Sequence, residues 1–140
     1  EEPIGNGDLE AMARLRGNGI QIAIDESVRS IRELENIIAL NAADAIVIKP
    51  MLIGTPMRSM DMMKRADEAG LHIWVTTTID GAVGRMMAFQ LTAAAPTKNL
   101  APCGLNTASW LREDIGETPT MYGSHFDVPK YPGLGIKVKL

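Results

Sequence analysis

Charged side chains suited to chemistry close two consecutive apolar runs. Asp25 follows Ile20-Gln21-Ile22-Ala23-Ile24, and Lys49, ahead of Pro50, follows Ala45-Ile46-Val47-Ile48. A threonine triplet, Thr76 to Thr78, follows a third run, Leu71 to Val75. In parallel α/β folds the functional edge of the sheet lies where strands end. A carboxylate and an ammonium on neighbouring strands would meet there. A lysine ending a wholly apolar strand needs a polar neighbour, and Asp25 is the one at hand. Simpler roles stay open: Asp25 as the cap of the following helix, the two charges as a structural ion pair, and the threonines as β-formers.

Amphipathic helices separate these runs. Leu9 to Arg16 reads as a helix stopped by Gly17-Asn18-Gly19. Val28, Ile31, Leu34, Ile37 and Ile38 recur on one helical face, with Ser27 as the expected N-cap. Pro56 opens another helix, which turns Met60, Met63 and Ala66 inward and ends at Gly70. A small-residue helix spans about Ala82 to Ala95 before Pro96. Leu100 to Gly104 is a weaker strand, followed by a short helix at about Ala108 to Glu113. A proline-punctuated tail leads to a final strand at Ile136 to Val138. Apolar strands alternating with such helices imply a parallel sheet covered by helices. Asp25, Lys49 and Thr76 recur at near-equal intervals, each the length of one strand–helix unit. That period suits a TIM-type barrel, whose eight units typically take about 250 residues. About four units fit here, so a barrel needs residues upstream, and an open doubly wound sheet remains an alternative on pattern alone.

The 140 residues carry a net charge of -3 and no run of Lys or Arg, which argues against a nucleic-acid partner. No apolar stretch approaches the roughly 20 residues of a membrane span, and Glu1-Glu2-Pro3 does not read as a targeting peptide. The single cysteine, Cys103, cannot form an internal disulfide and suits a reducing, cytoplasmic setting. Trp74, Trp110 and Cys103 read as packing residues, and His72 and His125 as bystanders.

Four segments carry a resemblance: Glu1-Glu2-Pro3, then Ile22-Ala23-Ile24-Asp25-Glu26-Ser27, then Ile46-Val47-Ile48-Lys49-Pro50, then Val75-Thr76-Thr77-Thr78-Ile79-Asp80-Gly81-Ala82-Val83-Gly84. In order and spacing they resemble the strand-end motifs of the enolase superfamily, in its muconate-lactonizing subgroup, with o-succinylbenzoate synthases closest in look. The resemblance implies the C-terminal half of a (β/α) barrel as one partial domain, residues 1–140. It would run from the end of the fourth strand to the eighth strand and tail. The first strands and an N-terminal capping domain would lie outside it.

The resemblance also implies roles. Glu1 and Asp25 would be metal ligands ending the fourth and fifth strands, for Mg²⁺ or Mn²⁺, with positions left for a substrate carboxylate. The metal would stabilise the enediolate left when a proton departs from the carbon beside that carboxylate. Lys49 would be the catalytic lysine ending the sixth strand, as an acid/base or as a cation against the intermediate. Thr76 and Thr77 would bind substrate. Gly81, where a helix begins, would offer backbone N–H groups to an anion, and Gly104 would let the backbone approach the substrate. Asp80 stands where the family usually has glutamate. Glu26, next to Asp25, is expected to point away because side chains alternate along an extended chain.

A third metal carboxylate and a lysine pair belong to earlier strands of such a barrel, so residues 1–140 alone are expected to have little activity. Half a barrel leaves sheet edges open, and association into a homo-oligomer is expected. The implied reaction is dehydration to o-succinylbenzoate on the menaquinone route. Dipeptide epimerase, N-acylamino acid racemase and muconate cycloisomerase are alternatives on the same scaffold. A receiver module fits less well, because it needs another strand between its Asp and its Lys-Pro. A non-catalytic interaction fragment is the remaining reading.

Overall fold

The computed structural model describes residues 1–5, 7–96, 98–118 and 123–139. Its centre is a parallel sheet of β1 (Ala23–Ile24), β2 (Ala45–Ile48) and β3 (His72–Val75) in sequence order. Ala23 pairs with Ala45, and Ala45 pairs with His72. The connections are helical: α2 (Ile31–Ala39) between β1 and β2, and α3 (Pro50–Ile53) with α4 (Pro56–Glu68) between β2 and β3. Before β1 lies α1 (Leu9–Leu15), and after β3 lies α5 (Ala82–Ala94). This is the strand–helix alternation that the sequence predicts.

A fourth strand position follows α5. Bridges pair Ile73 with Leu100 and Thr76 with Gly104, both parallel. The segment does not form a continuous ladder: the Ala101 N–H reaches the Ile73 carbonyl at 2.9 Å and the next bond runs from the Gly104 N–H to the Val75 carbonyl at 3.0 Å, three residues of this segment against two of β3. The Val75 N–H instead reaches the Cys103 Sγ, at 3.4 Å. Cys103 is thus half-buried against the sheet, and its burial pushes the thiol pKa up. The tail adds an antiparallel pair, β4 (Gly116–Glu117) with β5 (Lys137–Val138). The expected helix near residue 108 is one 3₁₀ turn, Ala108–Trp110. Trp110 is exposed rather than packed.

Alternation divides the sheet. Ile24, Ile46, Ile48, Ile73 and Val75 are fully buried and meet Leu34, Ile37, Met62, Met63 and Met86 from the helices. Burying each such side chain contributes about 1.5–3 kcal/mol. The other face carries Ala23, Val47 and Trp74 and opens on a cleft.

Two helix starts differ from the sequence reading. Ser30, not Ser27, caps α2, accepting the Glu33 N–H at 3.3 Å, and Glu33 in turn accepts the Arg29 N–H at 2.8 Å. Pro50, at the first position of α3, starts an extra helical turn straight after Lys49.

At the opposite end from the cleft mouth, Arg16 ties α1 to the start of β2. Its Nε donates to Asp44 Oδ1 at 3.0 Å, while Asp44 Oδ2 accepts the Ile22 N–H at 2.8 Å. The Arg16 hydrogen bonds, followed by the Ile22 N–H, outweigh partial burial and hold the Asp44 carboxyl below its ordinary pKa. A depressed carboxyl adds stability that is present above the unfolded value of about 3.9 and lost as pH falls through the folded one. Asp44→Asn is expected to cost about 1–3 kcal/mol at neutral pH. In thermal melts, the gap between parent and variant should close below about pH 4.

Candidate functional site

The site is built at the carboxyl ends of the parallel strands. Asp25 follows β1 directly, Lys49 follows β2, and Thr76 follows β3. Continuing the β2–β3 register by one residue brings Lys49 level with Thr76, and Thr76 pairs directly with Gly104. Because residues two apart share a sheet face, these side chains follow Ala23, Val47 and Trp74 into one cleft of about 970 Å³. Glu1, Asp25, Lys49, Trp74, Thr76 and Gly104 line it. Trp74 therefore borders the cleft, a role that the sequence reading did not give it.

Asp25 is buried, at 6% exposure, and its carboxylate takes an ion pair from Lys49 Nζ. The Lys49 side chain is largely covered, and its ammonium also lies 3.8 Å from Glu26 Oε1. Carboxylate oxygens of Glu1, Asp25 and Glu26 lie within 4.8 Å of one another. Glu26 thus joins the group, contrary to the expectation that it turns away. The chain leaves the extended conformation at Asp25, whose carbonyl accepts the Val28 N–H at 3.1 Å. Past that turn, alternation no longer dictates where a side chain points.

The Glu1 carboxyl is held above its ordinary pKa, first by a hydrogen bond to Asp25, then by burial and by the negative charge of Asp25. Two carboxylates crowded so closely are relieved by a cation between them. Three hard oxygen donors within this span suit a divalent ion that completes its shell with water or substrate oxygens. The donor set therefore fits the metal that the resemblance implies.

Other expected residues are placed differently. Thr77 is buried and faces away from the cleft, its Oγ1 3.0 Å from Thr107 Oγ1 and 3.4 Å from the Leu105 carbonyl. Gly81 precedes α5 but is not among the cleft-lining residues. The adjacent Ala82 N–H donates to Asp114 Oδ1 at 2.8 Å, so this helix start already holds a carboxylate of the chain. Asp114 also pairs with the buried Arg85 at 2.8 Å. A capping carboxylate so far downstream of the helix it caps has no local signal in the sequence. Asp80 is buried, with Oδ1 bonded to the Thr78 hydroxyl. His72 and His125 are exposed. Among the described residues, no helix is long and apolar enough to cross a membrane.

The profile of the enolase C-terminal domain-like family matches residues 1–140. Chloromuconate cycloisomerase from Cupriavidus pinatubonensis is 30% identical over 142 residues, which is 99% of this chain. N-succinyl-L-Arg/Lys racemase from Bacillus cereus is 31% identical over 144 residues, again 99% of the chain. The crystal structure of that racemase superimposes with a TM-score of 0.84, covering 99% of this chain and 37% of the racemase chain. The o-succinylbenzoate synthase from Thermobifida fusca is 31% identical over 121 residues, 86% of the chain. The chain spans 37% of the length of each of these three relatives. All three are named as enzymes, and their superfamily generally uses a divalent metal.

Proposed function

Because this chain belongs to the enolase C-terminal domain-like family, we propose that residues 1–140 form the part of a barrel enzyme that binds the metal and presents Lys49. The enzyme would remove the proton beside a carboxylate of a small-molecule substrate. The reading rests chiefly on one observation: Glu1, Asp25 and Lys49 meet in a single cleft at the strand ends. In this reading the remaining strands and a capping domain come from elsewhere in the complete gene product.

Glu1 and Asp25, with Glu26 beside them, would hold a divalent cation, Mg²⁺ or Mn²⁺. Bound there, the cation would supply positive charge against the enediolate that proton loss creates. Lys49 is fixed beside these carboxylates and offers a second positive charge to the same space, already oriented before substrate arrives. Thr76, beside Lys49 at the sheet edge, and the Gly104 backbone would contact the substrate, and Trp74 forms an apolar wall. Burial of Asp25 limits the screening of its pairing with Lys49 by water.

At the finer level, the proposed reaction is dehydration to o-succinylbenzoate. The likeness to a synthase of that name supports it, as does an ammonium anchored between carboxylates, which suits Lys49 to act as a fixed charge. The second reading is racemisation of N-succinylamino acids. The likeness to the Bacillus cereus racemase favours it, and it requires Lys49 to give or take a proton.

The test is turnover by the complete gene product of the o-succinylbenzoate precursor and, separately, of N-succinylamino acids, before and after chelation. Dehydration that is lost with EDTA and restored by Mg²⁺ or Mn²⁺ is expected. Racemisation without dehydration would move the assignment to the second reading. Full activity after chelation would sink both.

A further inference from the structure

We propose that Glu2 is a positioning residue that fixes the spacing of the Glu1 and Asp25 carboxylates by clamping the main chain around Asp25. This rests on the reading of Glu1 and Asp25 as metal ligands.

Glu1 and Glu2 are adjacent acids with opposite assignments. Glu2 adopts a left-handed backbone, φ 37°, which is uncommon for a residue with a side chain. At this point the two carboxylates part. Glu1 faces the Asp25 carboxylate, while Glu2 faces the Asp25 main chain. Glu2 Oε2 accepts the Asp25 N–H at 2.8 Å and the Ser27 N–H at 3.4 Å, and Oε1 takes the Ser27 hydroxyl. The Glu2 N–H donates to the Ala23 carbonyl at 2.8 Å, so both its backbone and its side chain are tied to the end of β1. The grip closes over the turn at which the chain leaves β1. Gly7 approaches the same hydroxyl: a β-carbon there would lie 3.3 Å from Ser27 Oγ.

The oxygens of Glu2 are therefore committed to the loop. A carboxylate accepting backbone N–H groups forms charge-assisted hydrogen bonds of good directional strength. It sets where the Asp25 Cα stands relative to Glu1, its own neighbour along the chain. Groups that orient metal ligands commonly change metal affinity about 10- to 100-fold when removed. Glu2 has no signal of its own in the sequence, since it reads as a duplicate of Glu1.

Direct Mn²⁺ binding to the metal-stripped complete gene product, followed by the EPR signal of the free ion, tests this without any assay of turnover. Glu2→Asp keeps the charge but is too short to reach Asp25 and Ser27 together, and is expected to weaken Mn²⁺ binding about tenfold. Glu2→Gln loses the charge but can still accept from the Asp25 N–H and donate to Ser27 Oγ, and is expected to stay within about threefold of the parent. The reverse order, or equal affinities, would overturn the clamp in favour of a charge role or none. Ser27→Ala, which leaves Glu2 in place, is expected to weaken binding less than Glu2→Asp, and no loss at all would equally overturn it. A parent protein that binds no Mn²⁺ would sink the metal reading itself, and this inference with it.

Discussion

Lys49→Met in the complete gene product is expected to lower kcat about 10³-fold, the middle of the range for a positioned proton-transfer or charge-stabilising group. Methionine nearly matches the lysine stem in length, so the apolar contacts of the side chain are largely kept while the ammonium is removed. The companion variant Lys49→Arg separates the two reactions under consideration. A fixed cation can be partly replaced by guanidinium, whereas a group that must release its proton near neutral pH cannot, because arginine stays protonated. Recovery of about tenfold or more in Lys49→Arg over Lys49→Met would support dehydration with Lys49 as charge. No recovery, together with a pH–rate limb that is absent from both variants, would support racemisation. A kcat within about threefold of the parent in Lys49→Met would remove Lys49 from the chemistry altogether.

Asp25→Asn should be about as damaging. It removes a negative ligand from the centre of the carboxylate group and leaves the Lys49 ammonium with Glu26, 3.8 Å away, as its remaining acidic partner. Loss of several kcal/mol of charge stabilisation corresponds to about 10³-fold or more in kcat/KM. Mn²⁺ titration of the same variant should show the loss before any substrate is added. Glu26→Gln provides the contrast. Its side chain is 61% exposed, where an ionic contact is weak, and a change of about tenfold or less is expected. If Glu26→Gln is as harmful as Asp25→Asn, Glu26 is a ligand of equal rank. If Asp25→Asn keeps its Mn²⁺ affinity, the carboxylates are not the metal site.

Much of this site was legible because strand ends are legible. The apolar runs closing at Asp25, Lys49 and Thr76 mark positions that the parallel register then brings to one edge, with Lys49 level with Thr76 and Thr76 against Gly104. Pattern gave parity within the strands and nothing beyond them. Glu26 lies past a turn, so extrapolated alternation sent it the wrong way. Ser27 matches a helix cap in local pattern, yet its hydroxyl goes to Glu2, and Ser30 caps α2. Asp114 fills the start of α5 from far along the chain, and long-range side-chain partners leave no periodic trace. Trp74 reads as packing because it is large and apolar, although the parity it shares with Val47 and Thr76 points to the cleft. The fourth strand position reads as weak in the sequence, and the extra residue between Ala101 and Gly104 is what interrupts its ladder.

The order of pairing has a consequence for how the chain is made. Each strand lies beside the one before it, and among the described residues no pairing in the parallel sheet skips over a neighbour. A chain leaving the ribosome amino-terminus first always finds the edge it needs already synthesised. The loop to be closed is of similar length each time, from Ala23 to Ala45, from Ala45 to His72 and from Thr76 to Gly104. Closing costs that grow only with the logarithm of loop length are then nearly equal at every step. The sheet can grow during translation by repeated addition of one strand–helix unit, and each addition brings one more residue of the cleft into line.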